Sequence, residues 1–214
     1  GAIGEKLFKK YTLIKLLNKF FLKKMNNILV SGKSHMEIFN FINKNKIKIV
    51  YNFAPEIMFS SRNQIEEKFN KKLETRVLYL SQMLPLKGYM DLFQAFLRIP
   101  KMEKKNMRLD FAGKFYNEKS KNKFIDLISE HENIHYHGIV DDIKKFELFH
   151  KSHIFCLPTR YLEGQPIAIL EAYSSGNAVI TYDQPGINDI FKDSVNGFKA
   201  NKKSIESITN KISS

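Results

Sequence analysis

The chain has 214 residues and a formal net charge of +13, from 35 Lys and Arg against 22 Asp and Glu. That length can bury one good core with an appendage but not two full domains, so one domain is the working count. The basic residues are nearly all Lys, a hydrated point charge suited to diffuse attraction to phosphate or lipid headgroups, although a compositional bias toward Lys, Asn and Ile explains the charge equally well; without zinc-finger spacing or an aromatic-basic RNA signature, specific nucleic-acid binding is not expected.

The one cysteine, Cys156, lies in the apolar run Ile154 to Leu157. It has no disulfide partner, which points to a reducing compartment and to a buried core residue rather than a nucleophile. No apolar stretch approaches the length needed to span a bilayer, and Gly1-Ala2-Ile3-Gly4 is neither a signal peptide nor an initiating Met, so a fragment or processed chain is expected.

Residues 5–52 read as a long basic helix, a strand Asn27–Val30, a helix Ser34–Asn43 and a strand Ile47–Tyr51. On the first helix Leu7, Tyr11, Ile14, Phe21 and Met25 form one stripe, and Leu13, Leu16 and Phe20 form a second beside Lys9 and Lys23. One stripe can face a protein core. The other, rimmed by lysines, suits either an anionic membrane surface or a further protein face. The polar, charged stretch from Met58 to Glu74, helix-prone near Gln64 to Phe69, has the composition of an interdomain segment.

From Arg76 onward strand and helix patterns alternate. Strands are expected at Arg76–Leu80, Arg108–Ala112, Ile134–His137, His153–Leu157, Ala178–Thr181 and Gly197–Lys199. Helices are expected at Tyr89–Leu97, Glu118–Glu130, Ile143–His150, Pro166–Ser174 and Lys202–Ile212. This is the sequence form of an α/β fold, a doubly wound parallel sheet with helices on both faces. Ligands of such sheets bind beyond the carboxyl ends of the strands, where the loops carrying Gly88, Gly113, Gly138, Gly164 and Gly186 gather.

The most informative string runs from Leu157 to Ala172, Leu-Pro-Thr-Arg-Tyr-Leu-Glu-Gly-Gln-Pro-Ile-Ala-Ile-Leu-Glu-Ala. Pro166 sits where a helix would begin, since its fixed φ suits a first turn and its missing N–H would have had no partner. Glu163 is then on a loop and Glu171 on a helix, eight positions on, both able to border a crevice together with the N–H groups of Gly164 to Ile167. This string resembles the Glu-x7-Glu signature of retaining, family 4-like glycosyltransferases (glycosyl transferases group 1). The resemblance implies the C-terminal donor-binding domain of that family, a Rossmann-like half of a GT-B fold.

Other segments extend the resemblance in the family's order. Asn52-Phe53-Ala54-Pro55 stands where family members bridge their two domains. Ser81-Gln82-Met83-Leu84-Pro85-Leu86-Lys87-Gly88 resembles Gly-Arg-Leu-x-x-x-Lys-Gly, whose Arg and Lys hold the donor pyrophosphate; Lys87 and Gly88 match, but Gln82 replaces the Arg, so phosphate affinity should lean on Lys87 and helix dipoles. Phe111-Ala112-Gly113-Lys114 and His137-Gly138-Ile139-Val140 correspond to turns lining the nucleotide, with Ile139 and Val140 candidates to read the base through main-chain atoms. His137 is expected to be structural. Asp189 stands for the Glu of a Gly-x-x-Glu string, mostly structural in the family, and Val195-Asn196-Gly197-Phe198 closes the series.

The resemblance divides the chain into 1–52, a remnant of the N-terminal acceptor domain; 53–74, an interdomain linker; and 75–214, the nucleotide-sugar-binding domain. It implies a retaining transfer of a sugar from a nucleotide diphosphate sugar to an acceptor hydroxyl, in surface polysaccharide or glycolipid synthesis of a bacterium. Catalytic roles fall to Glu163, which holds the sugar, and Lys87. Donor binding falls to Gln82, Gly88, Gly113, Ile139, Val140, Gly164, Gln165, Pro166, Ile167, Leu170 and Glu171, the last holding the ribose. No cofactor or metal is expected, the nucleotide sugar being a substrate with UDP the first expectation and GDP the second. The partners are that donor, an acceptor sugar with lipid-linked forms among the candidates, and a peripheral membrane surface; the location is cytoplasmic, including the inner face of the membrane. The alternative is a degenerate nucleotide-binding or membrane-associated interaction domain in which the neutral Gln82 marks lost catalysis. An epimerase would lack the Glu-Gly-x-Pro loop, and a phosphorylase would need a lysine-bound pyridoxal group for which the sequence has no marker.

Overall fold

The computed structural model describes residues 12–36, 39–70 and 74–213. In chain order its elements are α1 (Thr12–Lys24), β1 (Ile28–Val30), α2 (Lys33–Met36), β2 (Ile47–Ile49), α3 (Arg62–Asn70), β3 (Thr75–Leu80), α4 (Tyr89–Arg98), α5 (Lys101–Lys104), β4 (Met107–Ala112), α6 (Glu118–Ile128), β5 (Ile134–Tyr136), α7 (Asp142–Lys151), β6 (Ile154–Leu157), α8 (Ile167–Ser174), β7 (Ala178–Tyr182), α9 (Pro185–Asn188), β8 (Gly197–Ala200) and α10 (Ile205–Ser213). Residues 1–11, with Leu7, Lys9 and Tyr11 of the expected helical stripes, lie outside the described residues, as do 37–38 in the expected helix Ser34–Asn43.

By their contacts the residues form two compact units. Among the described residues, one comprises those up to Asn52 together with Tyr161–Pro166 and Gln184–Phe191; the other comprises those within Phe53–Arg160, Ile167–Asp183 and from Lys192 onward.

The first unit is built on the parallel pair β1–β2. Ile28, Val30, Ile42 and Ile47 are buried there, with Leu22, Met36, Phe39, Phe41 and Ile49 packed around them. The Lys46 ammonium donates to the carbonyls of Lys23 and Met25, each at 3.1 Å, and so satisfies the basic C-terminal end of α1. The outer face of α1 leaves Leu16, Leu17, Phe20 and Phe21 exposed. Asn43, expected to end a helix, instead caps a short 3-10 turn, its side chain accepting from Asn45 N at 3.0 Å.

The second unit is a six-stranded sheet of order β5-β4-β3-β6-β7-β8, parallel at every pairing. The chain enters in the middle at β3, winds to one edge, then returns to β6 and winds to the other. Register sets the faces: Tyr79 lies beside Phe111, whereas Leu78 lies between Asp110 and Phe155. On the Tyr79 face α6 inserts Phe124, whose ring meets those of Tyr89, Phe93, Phe111 and Phe115 at 5.1–6.1 Å. On the other face α7 places Phe149 against Phe155 at 5.3 Å. Both faces are covered, so Val77, Leu78 and Tyr79 are all buried and the strand reads as a continuous apolar run.

Helix starts follow local chemistry. Asn117 and Asp141 accept from Ser120 N and Lys144 N at 2.8 and 2.7 Å and cap α6 and α7. The expected helix from Lys202 begins at Ile205, because Lys203 adopts φ +64° and Ser204 supplies the cap, its hydroxyl accepting from Ser207 N at 3.1 Å. The described residues of the stretch 53–74 belong by their contacts to the second unit. Met58 is fully buried, its carbonyl accepts from Ser175 Oγ at 2.9 Å, and Lys68 Nζ donates to Ser175 O at 2.7 Å.

Candidate functional site

In the second unit the strand order reverses between β3 and β6, which places the ligand crevice of a doubly wound sheet beyond the carboxyl ends of these two strands. The loops there are stitched to one another. Arg160 N donates to Leu86 O at 2.7 Å, and Gly88 holds φ +83° while a Cβ on it would overlap the Pro158 carbonyl oxygen, so only glycine lets the two loops close. Ser81 N donates to Ala112 O at 3.2 Å and Met83 N to Lys114 O at 2.9 Å, continuing the pairing of β3 with β4 into the loops. Gly113, at φ +142°, abuts the Ser81 carbonyl and donates to Gly138 O at 2.8 Å. Gln82, Lys87, Gly88, Gly113, Ile139 and Val140 are thereby carried on one hydrogen-bonded rim.

Along that rim Gln82 is exposed and Lys87 half-buried. Lys87 ends the short 3-10 turn Pro85–Lys87, and Gly88 precedes the first residue of α4, so the lysine sits at a helix entrance. Ile139 is 73% exposed. Ile167 and Leu170 lie on the first turns of α8, exposed and half-buried respectively. Glu171 on the same helix is only 4% exposed, and its Oε1 takes a 2.8 Å ion pair from Lys145 Nζ on α7. Lys145 also reaches Asp142 Oδ1 at 3.1 Å.

On β4 the buried Asp110 carboxylate is paired with the half-buried side chains of Arg108 and His137. Asp110 Oδ1 accepts from His137 Nε2 at 2.6 Å, and Arg108 Nε donates to both carboxylate oxygens at 3.0 and 3.1 Å. Burial works to raise the Asp110 pKa; the hydrogen bonds and charges of His137 and Arg108 outweigh it and hold the carboxyl below its ordinary range. Cys156 is fully buried, and burial with the Asp91 charge pushes its thiol well up, which removes it as a nucleophile. Among the described residues no group of three or more His, Cys, Asp or Glu is placed to hold a metal ion.

In the first unit, Glu163 and Gln165 are buried, at 8% and 5% exposure, while Gly164 and Pro166 are partly open. Their loop is built tightly. Asn52 N donates to Gln165 Oε1 at 2.6 Å and Asn52 Nδ2 to Gln165 O at 2.7 Å. A Cβ at Gly186 would overlap the carbonyl oxygens of Gly164 and Glu163, so the 184–191 segment passes directly under that backbone. Asp189 Oδ2 accepts from Ser34 N at 3.2 Å and Ser34 Oγ at 2.9 Å, a structural cap on α2. Gln165 Nε2 is buried without a hydrogen-bond partner among the described residues.

A groove of about 690 Å³ lined by Phe69, Tyr173, Asn177 and Phe198 opens near the first residues of β7 and β8, Ala178 and Gly197. It lies at the end of the sheet opposite the rim. Sequence reasoning missed Lys145, which carries no motif, and the Arg108–Asp110–His137 cluster, whose carboxylate hides inside an apolar strand.

The rim lies at the switch point of a doubly wound α/β sheet, where such folds carry their ligand crevice. The model of the family described as glycosyl transferases group 1 matches residues 60–214, and the chain belongs to that family. It is similar to the N,N'-diacetylbacillosaminyl-diphospho-undecaprenol alpha-1,3-N-acetylgalactosaminyltransferase of Campylobacter jejuni, with 35% identity over 80 residues, 37% of this chain and 20% of the relative. It is also similar to an uncharacterized glycosyltransferase of Methanocaldococcus jannaschii, with 24% identity over 92% of this chain and 51% of the relative. Among solved structures, Anabaena HepE in complex with UDP-glucose superimposes with a TM-score of 0.71 at 18% identity, over 89% of this chain and 54% of HepE. The fold is the Rossmann-like half of a GT-B glycosyltransferase, and the chain spans about half the length of the archaeal relative and of HepE.

Proposed function

We propose that the chain is mainly the donor-binding part of a retaining glycosyltransferase that moves a sugar from a nucleotide diphosphate sugar, UDP-linked before GDP-linked, to an acceptor hydroxyl. The observation that carries this reading is the single hydrogen-bonded rim bearing Lys87, Gly88, Gly113 and 138–140 at the switch point of a group 1 family fold. The difficult step is departure of the nucleoside diphosphate from an oxocarbenium-like centre. Lys87 and main-chain N–H groups stabilise the charge that collects on the leaving pyrophosphate. Gln82, neutral and exposed, adds hydrogen bonds without charge. Main-chain atoms of Ile139 and Val140 meet the base, Glu171 takes the ribose hydroxyls, and Glu163 with Gly164, Gln165, Pro166, Ile167 and Leu170 serves the sugar and its phosphate.

In this reading residues 1–52 are a remainder of the acceptor domain, 53–74 the connection and 75–214 the donor domain. The Campylobacter jejuni relative, whose name specifies transfer to a diphospho-undecaprenol-linked sugar, supports an acceptor of the lipid-linked kind. The exposed Leu16, Leu17, Phe20 and Phe21 beside Lys19, Lys23 and Lys24 support a peripheral stance at an anionic cytoplasmic membrane face. No helix of the described residues is long and apolar enough to cross a membrane. Thermal-shift screening of UDP, GDP and ADP with their common sugar conjugates tests the reading: stabilisation by one nucleotide family names the base, and absence of any shift or calorimetric binding would contradict a donor site within this chain.

A further inference from the structure

Glu171 is a carboxylate taken almost wholly out of water, and such a group requires a cation or several donors nearby. The cation is Lys145. Its side chain is 19% exposed, and it binds Glu171 Oε1 at 2.8 Å. The second carboxylate facing it, Asp142 on its own helix, is 84% exposed at the side chain and is correspondingly screened. Burial works to lower the Lys145 pKa and is outweighed by the bonds and charges of Glu171 and Asp142, so the ammonium ends above the ordinary lysine value and stays charged throughout the neutral range.

The geometry is also directional. Lys145 follows the Asp141 cap of α7, and that helix leaves the Ile139–Val140 stretch of the rim; Glu171 stands on α8. The ion pair thus ties the element beginning at the base-facing loop to the element bearing the ribose-facing carboxylate. The ammonium engages Oε1 at 2.8 Å and so fixes the orientation of the carboxylate. A carboxylate held in this way accepts hydroxyl protons in charge-assisted bonds of fixed direction, whereas an unanchored one rotates and loses that selectivity.

We propose that Lys145 is the positioning residue of the ribose-binding carboxylate, and that through Glu171 it sets the discrimination of this site between ribonucleotides and nucleotides lacking the ribose hydroxyls. The inference rests on the donor-site reading of Glu171. The test is calorimetric titration of the full chain with UDP and with 2′,3′-dideoxy-UDP, for the native protein, Lys145→Met, Lys145→Gln and Lys145→Arg. The native chain should prefer UDP by about tenfold or more, the size of one charge-assisted hydrogen bond. Lys145→Met should reduce the preference to about twofold or less mainly by weakening UDP, and Lys145→Arg, which can still hold Oε1, should restore most of it. Should Lys145→Met not fold, Lys145→Gln carries the same comparison without the charge. Native-like discrimination in a folded Lys145→Met or Lys145→Gln chain overturns the role of Lys145 while leaving the donor site standing, as does a native chain that binds both nucleotides equally. A native chain that binds neither nucleotide contradicts the donor-site reading itself.

Discussion

At Gly88, Gly113 and Gly186 the backbone of a neighbouring loop leaves no room for a side chain. Gly88→Ala meets both a left-handed backbone and the Pro158 carbonyl, and should cost about 1–3 kcal/mol from the backbone strain alone, read by urea unfolding. It should also weaken any ligand held at Lys87, since the turn before α4 must shift. Asp110 offers a different signature. Its folded pKa lies below the unfolded carboxylate value near 4, so its contribution is fully present above that value and fades as the pH falls through the folded pKa. Asp110→Asn should therefore destabilise the chain by about 3 kcal/mol at pH 7, with the gap to the native protein closing in acid below about pH 4; a constant gap across that range would show that the ion pairs contribute nothing. Gln82→Arg should tighten nucleotide diphosphate binding by about three- to tenfold through an added charged donor at the rim. The resemblance of the strings around them to family motifs made Lys87, Glu163 and Glu171 legible as candidates. Lys145 was hidden, being one lysine in a chain rich in them, whose partner lies on another helix and is brought close only by the sheet.

At the scale of elements, the stretch 53–74 is the informative case. Its composition is that of a polar connection, yet Met58 is fully buried and Ile65 packs where a Cβ on Gly176 would overlap it. Scattered apolar positions such as Met58 and Ile65 in a charged segment give no periodic signal strong enough to announce this docking. Lys68 is the costly part of it: burial lowers its pKa to about 8. Between about 8 and the unfolded lysine value near 10.4 the unfolded chain binds more protons, so native stability should rise with pH over that interval, and Lys68→Met should abolish the rise. Removing residues up to Glu74 should markedly lower the melting temperature of the remaining chain; an unchanged transition would show that the segment is only a connection. The strands and most helices were legible because parallel strands buried on both faces are continuous apolar runs and the helices between them carry side-chain caps. The start of α10 and the turn at Lys44 were set instead by single capping residues.

For the whole molecule, the winding order places the loops after β3, β4, β5 and β6 on one rim, and the formal charge of +13 gives the chain a field that, in the donor-site reading, favours an anionic nucleotide there. The same charge, with the apolar outer face of α1, predicts co-sedimentation with vesicles containing anionic lipid but not with purely zwitterionic ones, lost at about 0.5 M salt, where screening is nearly complete over a few ångströms. Equal binding to both vesicle types, or to neither, would rule out this electrostatic attachment. The donor-site reading is tested most directly by calorimetric titration of UDP and GDP into the native chain, Lys87→Ala and Glu171→Ala, with the fold of each variant verified by circular dichroism. Binding of one nucleotide, weakened about tenfold or more in both variants, is the expected result; tight binding indifferent to both substitutions would contradict it, because a nucleotide that ignores Lys87 and Glu171 does not occupy the switch-point rim.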